Sequence, residues 1–322
     1  MSNNKKPLEI FVLTYNRKQY LKYCLDSILN QSCRDFFITV IDNGSTDGTL
    51  ELLHEYEAKG VRHIVNEKNI GGIGSIKKAC GLVTTKWVMI FHDDDVLHSQ
   101  FMEYARPFFD EERVSVILSY GKKTVNPEQI KLKEHIGIRH VELQSDELAR
   151  LLLKAKIIPF CSAIYNSEFL CKVSFQDDVY GKVGDRPLLL DVAQMGKTIL
   201  IQENMVLTRI HKFNDSRTTE VGITYIQWVS LVKRMRMEAL KGKTRRTNIS
   251  FMIRGRKYLM MPLDGSIIKQ IGKRSYVRTA LEQEAISRVE LIMGIPYHIT
   301  YELLRRTYRL VVNLKLYGQT QQ

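Results

Sequence analysis

The sequence predicts an α/β fold, a mostly parallel sheet with helices on both faces, followed by a basic α-helical C-terminal extension. Three observations lead there. Through the first 120 residues, short β-prone runs alternate with stretches of helical spacing, the pattern of a parallel sheet crossed by helices. The polar clusters TYNR, DNGSTD and HDDD each come directly after one of those runs, at the strand ends where such sheets bind ligands. Beyond Arg217 the β-prone runs stop, and almost all of the net positive charge lies there.

Leu8 to Leu13 (LEIFVL) is a continuous apolar run, expected as a strand buried on both faces. Arg17 to Gln31 places Tyr20, Leu21, Cys24, Leu25, Ile28 and Leu29 at helical spacing. Phe36 to Ile41 is a second strand, closed by DNGSTDGT, and Thr49 to Lys59 resumes the helical period. Val61 to Val65 is a third strand, Gly74 to Leu82 a third helix, and Trp87 to Phe91 a fourth strand running into His92-Asp93-Asp94-Asp95. From Lys122 to Gln144 the pattern weakens. Asp146 to Lys156 is expected as a helix, Ile158 to Tyr165 as a strand, Asp185 to Met195 as a helix stopped by Gly196, and Thr198 to Ile201 as a strand.

Composition narrows the class. With 322 residues, 44% hydrophobic and 26% charged, the chain can bury a substantial core and is not a disordered protein. No apolar run approaches the roughly 20 residues that span a bilayer. The N-terminal MSNNKKPLEIF lacks the apolar region of a signal peptide. Five scattered cysteines without a CxxC pair read as reduced thiols of a cytosolic chain.

The net charge of +13 is concentrated. Between Lys233 and Arg278, 14 Lys and Arg stand against two acids, Glu238 and Asp264. Such a segment calls for an anionic partner. Its charges are interleaved with Trp228, Leu231, Met235, Met237, Phe251, Met252, Tyr258, Leu259 and Met260. That mixture suits a helix lying in an anionic lipid surface, here residues 228–278. A helical domain with a basic exterior and a nucleic-acid-binding face are the other two readings. Helices after Ile286, including Glu302 to Leu316, could serve a homo-oligomer or a membrane.

The chemistry-bearing residues sit at the strand ends. Three consecutive aspartates after a buried strand repel one another, and a hard divalent cation, Mg²⁺ or Mn²⁺, resolves that repulsion. An exposed acidic turn is the bland alternative. Asp42 ends the second strand, where its carboxylate can accept from a base N–H or a ribose hydroxyl, or simply close an αβ turn. Asp185 begins a helix with Pro187 in the first turn, so it reads equally as a helix cap or as a functional acid.

Taken together, LTYNR, the strand with its DNGSTDGT turn, NxGG at Asn69 to Gly72, and HDDD resemble, in order and spacing, family 2 glycosyltransferases of the GT-A fold. The likeness covers residues 7–120 well and 155–217 more loosely, and leaves out the basic extension. It implies an inverting transfer of one sugar from a nucleotide diphosphate sugar. Thr14, Tyr15, Asn16 and Arg17 look like the first nucleotide-contacting loop, Asp42 like the base-recognising carboxylate, and Lys68, Asn69 and Lys77 like the ribose–diphosphate path. Asp94 matches the metal-binding aspartate of the DxD motif and Asp93 its nucleotide-facing neighbour. The first DxD position is His92, which leaves metal ligation to Asp94 with help from Asp95 or from elsewhere. Asp185 falls at the catalytic aspartate, the base that takes the acceptor proton. His211 resembles the late histidine that closes the metal and diphosphate site. The resemblance divides the chain into a donor-binding half (1–120), an acceptor-binding and catalytic half (121–220) and the extension (221–322).

The expected protein is thus a metal-dependent glycosyltransferase, cytoplasmic and peripheral on the inner membrane face. It would add one UDP- or dTDP-linked sugar to a lipid-linked or cell-surface glycan, as in lipopolysaccharide or capsule synthesis. Processive synthases of the family carry QxxRW and membrane spans, whereas this chain has Gln227-Trp228 without that spacing. A nucleotidyltransferase would be expected to show a glycine-rich loop after the first strand, and TYNRKQY has none. A non-enzymatic nucleic-acid-binding protein leaves HDDD and DNGSTD unexplained. His54, His63, His98, His135, His140 and His298 stand at no ligand-type spacing and read as ordinary residues.

Overall fold

The computed structural model describes residues 6–130, 137, 139–153 and 157–211, together with 227, 231, 234, 235, 237–239 and 241. The N-terminal half runs β1 (Leu8–Thr14), α1 (Lys18–Leu29), β2 (Phe36–Asp42), α2 (Thr49–Glu57), β3 (Val61–Val65), α3 (Gly71–Leu82) and β4 (Trp87–His92). It continues through β5 (Val96–Leu97), α4 (Phe101–Ala105), β6 (Val114–Thr124), β7 (His140–Leu143) and α5 (Ser145–Leu153). β8 (Ile164–Asn166), α6 (Ser167–Lys172), α7 (Asp177–Tyr180), α8 (Asp185–Ala193) and β9 (Lys197–Arg209) complete it. One sheet contains all nine strands, in the order β3-β2-β1-β4-β8-β6-β9-β5, with β7 also paired to β9. β1 through β4 are mutually parallel, and β8 lies antiparallel between β4 and β6. Residue 120, at the boundary expected between the halves, lies within β6.

Helices cover both faces because β1 and β4 carry apolar residues on both of their faces. Leu8, Ile10 and Val12 of β1 join the core layer beneath α1 and α2, while Phe11 joins the opposite layer with α3, α5 and α8. β4 alternates likewise, Trp87, Met89 and Phe91 on one side and Val88 and Ile90 on the other. α1 presents Leu21, Cys24, Leu25 and Ile28 to the core, a single stripe at i, i+3, i+4 and i+7.

Five strands depart from the expectation, β5 and β7 because no run in the sequence announced them. The segment Ile158 to Tyr165 is mostly not a strand. Pro159 lacks a donor, Phe160–Ser162 forms a 3-10 turn, and only Ile164–Asn166 pairs. β6, which the sequence pattern left unassigned, is an 11-residue strand. β9 is 13 residues long where four were expected, because Gln202, Glu203 and Asn204 interrupt its apolar run. The β6–β9 register shifts at Ser119–Tyr120 and again at Tyr120–Gly121, beside that polar interruption. Such a bulge bends a strand and re-aims the residues beyond it. At Gly121 a Cβ would sit 2.3 Å from Pro159 Cγ, so only glycine lets the 157–162 loop approach β6.

Most of the basic stretch and all of the tail after Ile286 lie outside the described residues. Within it, Leu231, Met235 and Ala239 are buried in the core layer of α5 and α8. Leu231 and Met235, expected among lipid-facing groups, are therefore turned into the protein, whereas Met237 is exposed. Glu238 ties the segment down, accepting from Ser145 Oγ (2.6 Å) and Gln194 Nε2 (2.9 Å). A Met235→Ala variant should lose about 2–5 kcal/mol in chemical denaturation, the usual cost of truncating a buried large side chain. No loss of stability would mean that this turn of chain is not docked. Among the described residues, no helix is long and apolar enough to cross a membrane.

Candidate active site

Parallel β1, β2 and β4 end side by side, and their last residues are Thr14, Asp42 and His92. The loops beyond them are joined by side chain to backbone bonds. Asn16 adopts a left-handed φ of 52° and accepts the Thr46 N–H at 2.7 Å, while its own N–H donates to Ser45 Oγ at 2.8 Å. Asparagine tolerates that conformation better than most side chains. The Lys18 N–H donates to Asp47 Oδ2 at 2.9 Å. The TYNR and DNGSTD motifs are thus one rigid rim. Tyr15 stands on it, 43% exposed.

Asp42 is fully buried, and both of its carboxylate oxygens accept from the Ser45 N–H (3.2 and 3.3 Å). It closes the αβ turn. Below it lies a polar network that no sequence motif announced: Asn66 Nδ2 and Ser75 Oγ donate to Asn43 Oδ1 at 2.7 and 3.1 Å. Lys78 Nζ donates to Asn66 Oδ1. Asn69 caps its own turn, accepting the Gly71 N–H at 2.8 Å. Lys68 is exposed beside it. Lys77 points elsewhere, its ammonium 5.5 Å from the Phe175 ring.

The three aspartates have three different fates. Asp93 Oδ2 accepts from Thr14 Oγ1 (2.7 Å), and its Oδ1 is 3.1 Å from Arg17 Nη1. Burial pushes its carboxyl above the ordinary value, with Arg17 opposing and Asp94 adding to the rise. Asp94 Oδ2 lies 2.9 Å from His211 Nε2 and 3.4 Å from Arg17 Nη1. Burial would raise Asp94 too, but His92, Arg17 and His211 outweigh it and hold the carboxyl low. Asp95 is turned inward. Its Oδ1 accepts the Arg209 N–H at 2.9 Å and its Oδ2 the Cys161 thiol at 2.9 Å, and burial beside Asp94 raises it.

His211 reaches Asp94 because the bulged β9 runs on beneath the HDDD loop. Arg209 is the hub of that contact, and nothing in its sequence context marked it. Its Nε donates to the Asp94 carbonyl (3.0 Å), its Nη2 pairs with Glu128 (2.6 Å) and its guanidinium lies 4.6 Å from the Tyr20 ring. Tyr20 also packs on His211, ring centroids 4.9 Å apart.

Asp185 is the first residue of α8, and Gly184, not Asp185, holds the cap position, without a side-chain cap bond. Its side chain is 34% exposed, with Arg186 Nε 3.7 Å from its Oδ2, and is otherwise crowded by protein. That crowding raises its pKa, with Arg186 and His92 opposing. His92 acts electrostatically on both Asp185 and Asp94. Asp191, further along α8, is paired with Arg234.

A carboxylate oxygen and an imidazole nitrogen directed at each other suit Mn²⁺ or Mg²⁺, the mixed set favouring Mn²⁺. An octahedral cation with bonds of about 2.1 Å holds neighbouring ligand atoms about 3 Å apart, close to the 2.9 Å between Asp94 and His211. Asp94 and His211 therefore fit a divalent cation. Asp95, with both oxygens engaged inward, does not complete that set.

Comparison with known proteins agrees with this fold. The family model described as glycosyl transferase family 2 matches residues 9–173. An uncharacterized glycosyltransferase of Methanocaldococcus jannaschii is 33% identical over 177 residues, covering 48% of this chain and 61% of its own length. Hyaluronan synthase of Pasteurella multocida is 28% identical over 127 residues, 39% of this chain and 13% of the synthase. The chain thus spans about three fifths of the first relative and a small part of the second. Among solved structures, Staphylococcus aureus TarS 1–349 in complex with UDP-GlcNAc superposes with a TM-score of 0.58 at 16% identity, over 85% of this chain and 81% of that one. Mannosyltransferase PcManGT from Pyrobaculum calidifontis, in complex with GDP-Man and Mn²⁺, gives 0.50 at 14%, over 94% and 83%. At those identities the likeness is one of fold, and the fold is GT-A. With one family model spanning just over half of its 322 residues, the chain belongs to glycosyl transferase family 2.

Proposed function

We propose that the chain is a metal-dependent, inverting glycosyltransferase that moves a single sugar from a nucleotide diphosphate sugar to a lipid-linked or cell-surface glycan. The observation that carries this reading is the meeting of Thr14, Arg17, Asp93, Asp94 and His211 at the ends of adjacent parallel strands, with His92 at the end of β4 acting electrostatically on both Asp94 and Asp185. Asp94 and His211 would hold Mn²⁺ or Mg²⁺, which when bound supplies Lewis-acid stabilisation of the departing diphosphate. Arg17, released from Asp93 once a cation neutralises it, would meet the diphosphate as the second positive charge. The Tyr15–Asn16 rim and Asp42 would hold the nucleoside, Lys68 and the Asn69 turn the ribose–diphosphate side. Asp185 would take the proton of the acceptor hydroxyl as it attacks the anomeric carbon. Asp95 would serve as the internal anchor that fixes the loop through Arg209 and Cys161.

Binding of UDP-GlcNAc by TarS and of GDP-Man with Mn²⁺ by PcManGT supports a nucleotide-sugar donor for this chain as well. We propose UDP or dTDP as the nucleotide, lipopolysaccharide- or capsule-type glycans as acceptors, and work at the inner membrane face through residues 228–278. Thermal unfolding with UDP, dTDP and GDP, each with and without Mn²⁺, tests the donor half. One diphosphate should raise the Tm in a Mn²⁺-dependent manner, by mass action. No shift with any pair would overturn the reading. Release of pyrophosphate instead of nucleoside diphosphate during turnover would reassign the chemistry to nucleotidyl transfer.

A further inference from the structure

Histidines 54 and 63 have no partner in sequence spacing, yet the fold brings them together with Glu57. His54 and Glu57 lie three residues apart on α2, and a short turn through Gly60, in left-handed conformation at φ 84°, returns the chain along β3. His63 Nδ1 lies 3.3 Å from Glu57 Oε1, and the His54 and His63 rings meet edge to face with centroids 5.3 Å apart. One donor atom from each residue falls within 4.8 Å of the other two. Among the described residues no strand lies beyond β3 in the sheet, so the cluster sits at the sheet edge, on the β3 side of β1 and away from the aspartates at the end of β4.

We propose that His54, Glu57 and His63 form a second metal site, for Zn²⁺ or a similar borderline transition-metal ion. Two imidazoles and a carboxylate are the donors such ions take, whereas Mg²⁺ and Ca²⁺ prefer oxygen alone. A tetrahedral Zn²⁺ with bonds of about 2.0–2.1 Å sets neighbouring donors about 3.3 Å apart, which is the Glu57–His63 separation. His54 is exposed and can turn onto the ion without disturbing the core, and water fills the fourth position. The site is local, three ligands within ten residues of a packed helix–turn–strand unit, so little ordering opposes binding. A bound ion would tie α2 to the edge strand and cover part of an edge that is otherwise a site for unwanted pairing.

This site is independent of the donor-site reading. Chelator-stripped protein titrated with ZnCl₂, without nucleotide, should show a saturable rise in Tm. Because Zn²⁺ could also enter the Asp94–His211 site, the same titration is run on Asp94→Ala, His54→Gln and His63→Gln. The rise should persist in Asp94→Ala and be lost in both histidine variants, each of which changes a side chain outside the core and should fold as the parent does. A rise that survives both histidine variants, or no rise in the parent, would overturn the proposal. Loss of the rise in Asp94→Ala alone would likewise overturn it, by assigning the ion to the donor site.

Discussion

An Asp185→Asn variant should bind nucleotide sugar as the parent does and turn it over roughly 10²–10⁴-fold more slowly, the usual contribution of a positioned general base. The substitution keeps the shape of the side chain and removes only its ability to accept a proton. Its effect on folding is expected to be neutral or slightly favourable. Burial raises the Asp185 carboxyl, against Arg186 and His92, so folding favours its neutral form more than the unfolded chain does. A group of that kind loses stability as pH rises from its unfolded pKa through its folded pKa, and a neutral amide removes that loss. Helix capping does not confuse the test, because Gly184 occupies the cap position of α8 and asparagine is tolerated at helix starts in any case. The raised pKa also improves the base, bringing it closer to the working range. The acidic limb of kcat/KM should therefore lie above the ordinary carboxylate value near 4 and vanish in the variant. Unchanged kcat with a changed Tm would leave Asp185 as a structural residue. Asp191 cannot replace it, since Arg234 already neutralises that carboxylate.

The parts of this site that sequence could predict are those built from consecutive residues. HDDD comes directly after an unmistakable buried strand, so its place at the end of β4 and its cost in charge repulsion were both readable. What sequence could not resolve is which aspartate faces which partner, because that depends on residues 66 to 117 positions away. Asp95 is turned inward by the Arg209 N–H and Cys161, neither of which stands near it in the chain. Arg209 escaped notice for the same reason. In sequence it is one more basic residue in a basic protein, and its role comes from a β9 that the polar Gln202-Glu203-Asn204 interruption had concealed. The basic stretch shows the reverse error. Interleaved Leu231 and Met235 have the spacing of a lipid-facing helix, and the same spacing serves equally well to dock a helix on α5 and α8. Periodicity gives a buried face; it does not say against what that face is buried.

Asp94→Ala should abolish the Mn²⁺-dependent rise in Tm and lower turnover by at least about 10²-fold, the scale of losing one electrostatic stabiliser of developing charge. The metal-free protein offers a sharper test of the same cluster through pH. Burial raises Asp93 to about 7 and Asp95 to about 6, with Asp94 adding to both. Between the unfolded carboxylate value near 4 and those folded values, the native state holds more protons than the unfolded chain. Stability contributed by these two groups is therefore present at low pH and is lost as pH rises across that window. Asp94 itself has the opposite sign, being held low, but its contribution is lost only as pH falls below about 4 and leaves the window untouched. Asp93→Asn should accordingly gain stability over the parent as pH rises from about 4 to about 7, when both are stripped of metal. Mn²⁺ supplies the charge that the cluster lacks, so its stabilising effect on the parent should grow across the same range. An Asp93→Asn protein whose stability relative to the parent falls over that range would show that Arg17 alone neutralises the pair, leaving a cation with no charge deficit to satisfy.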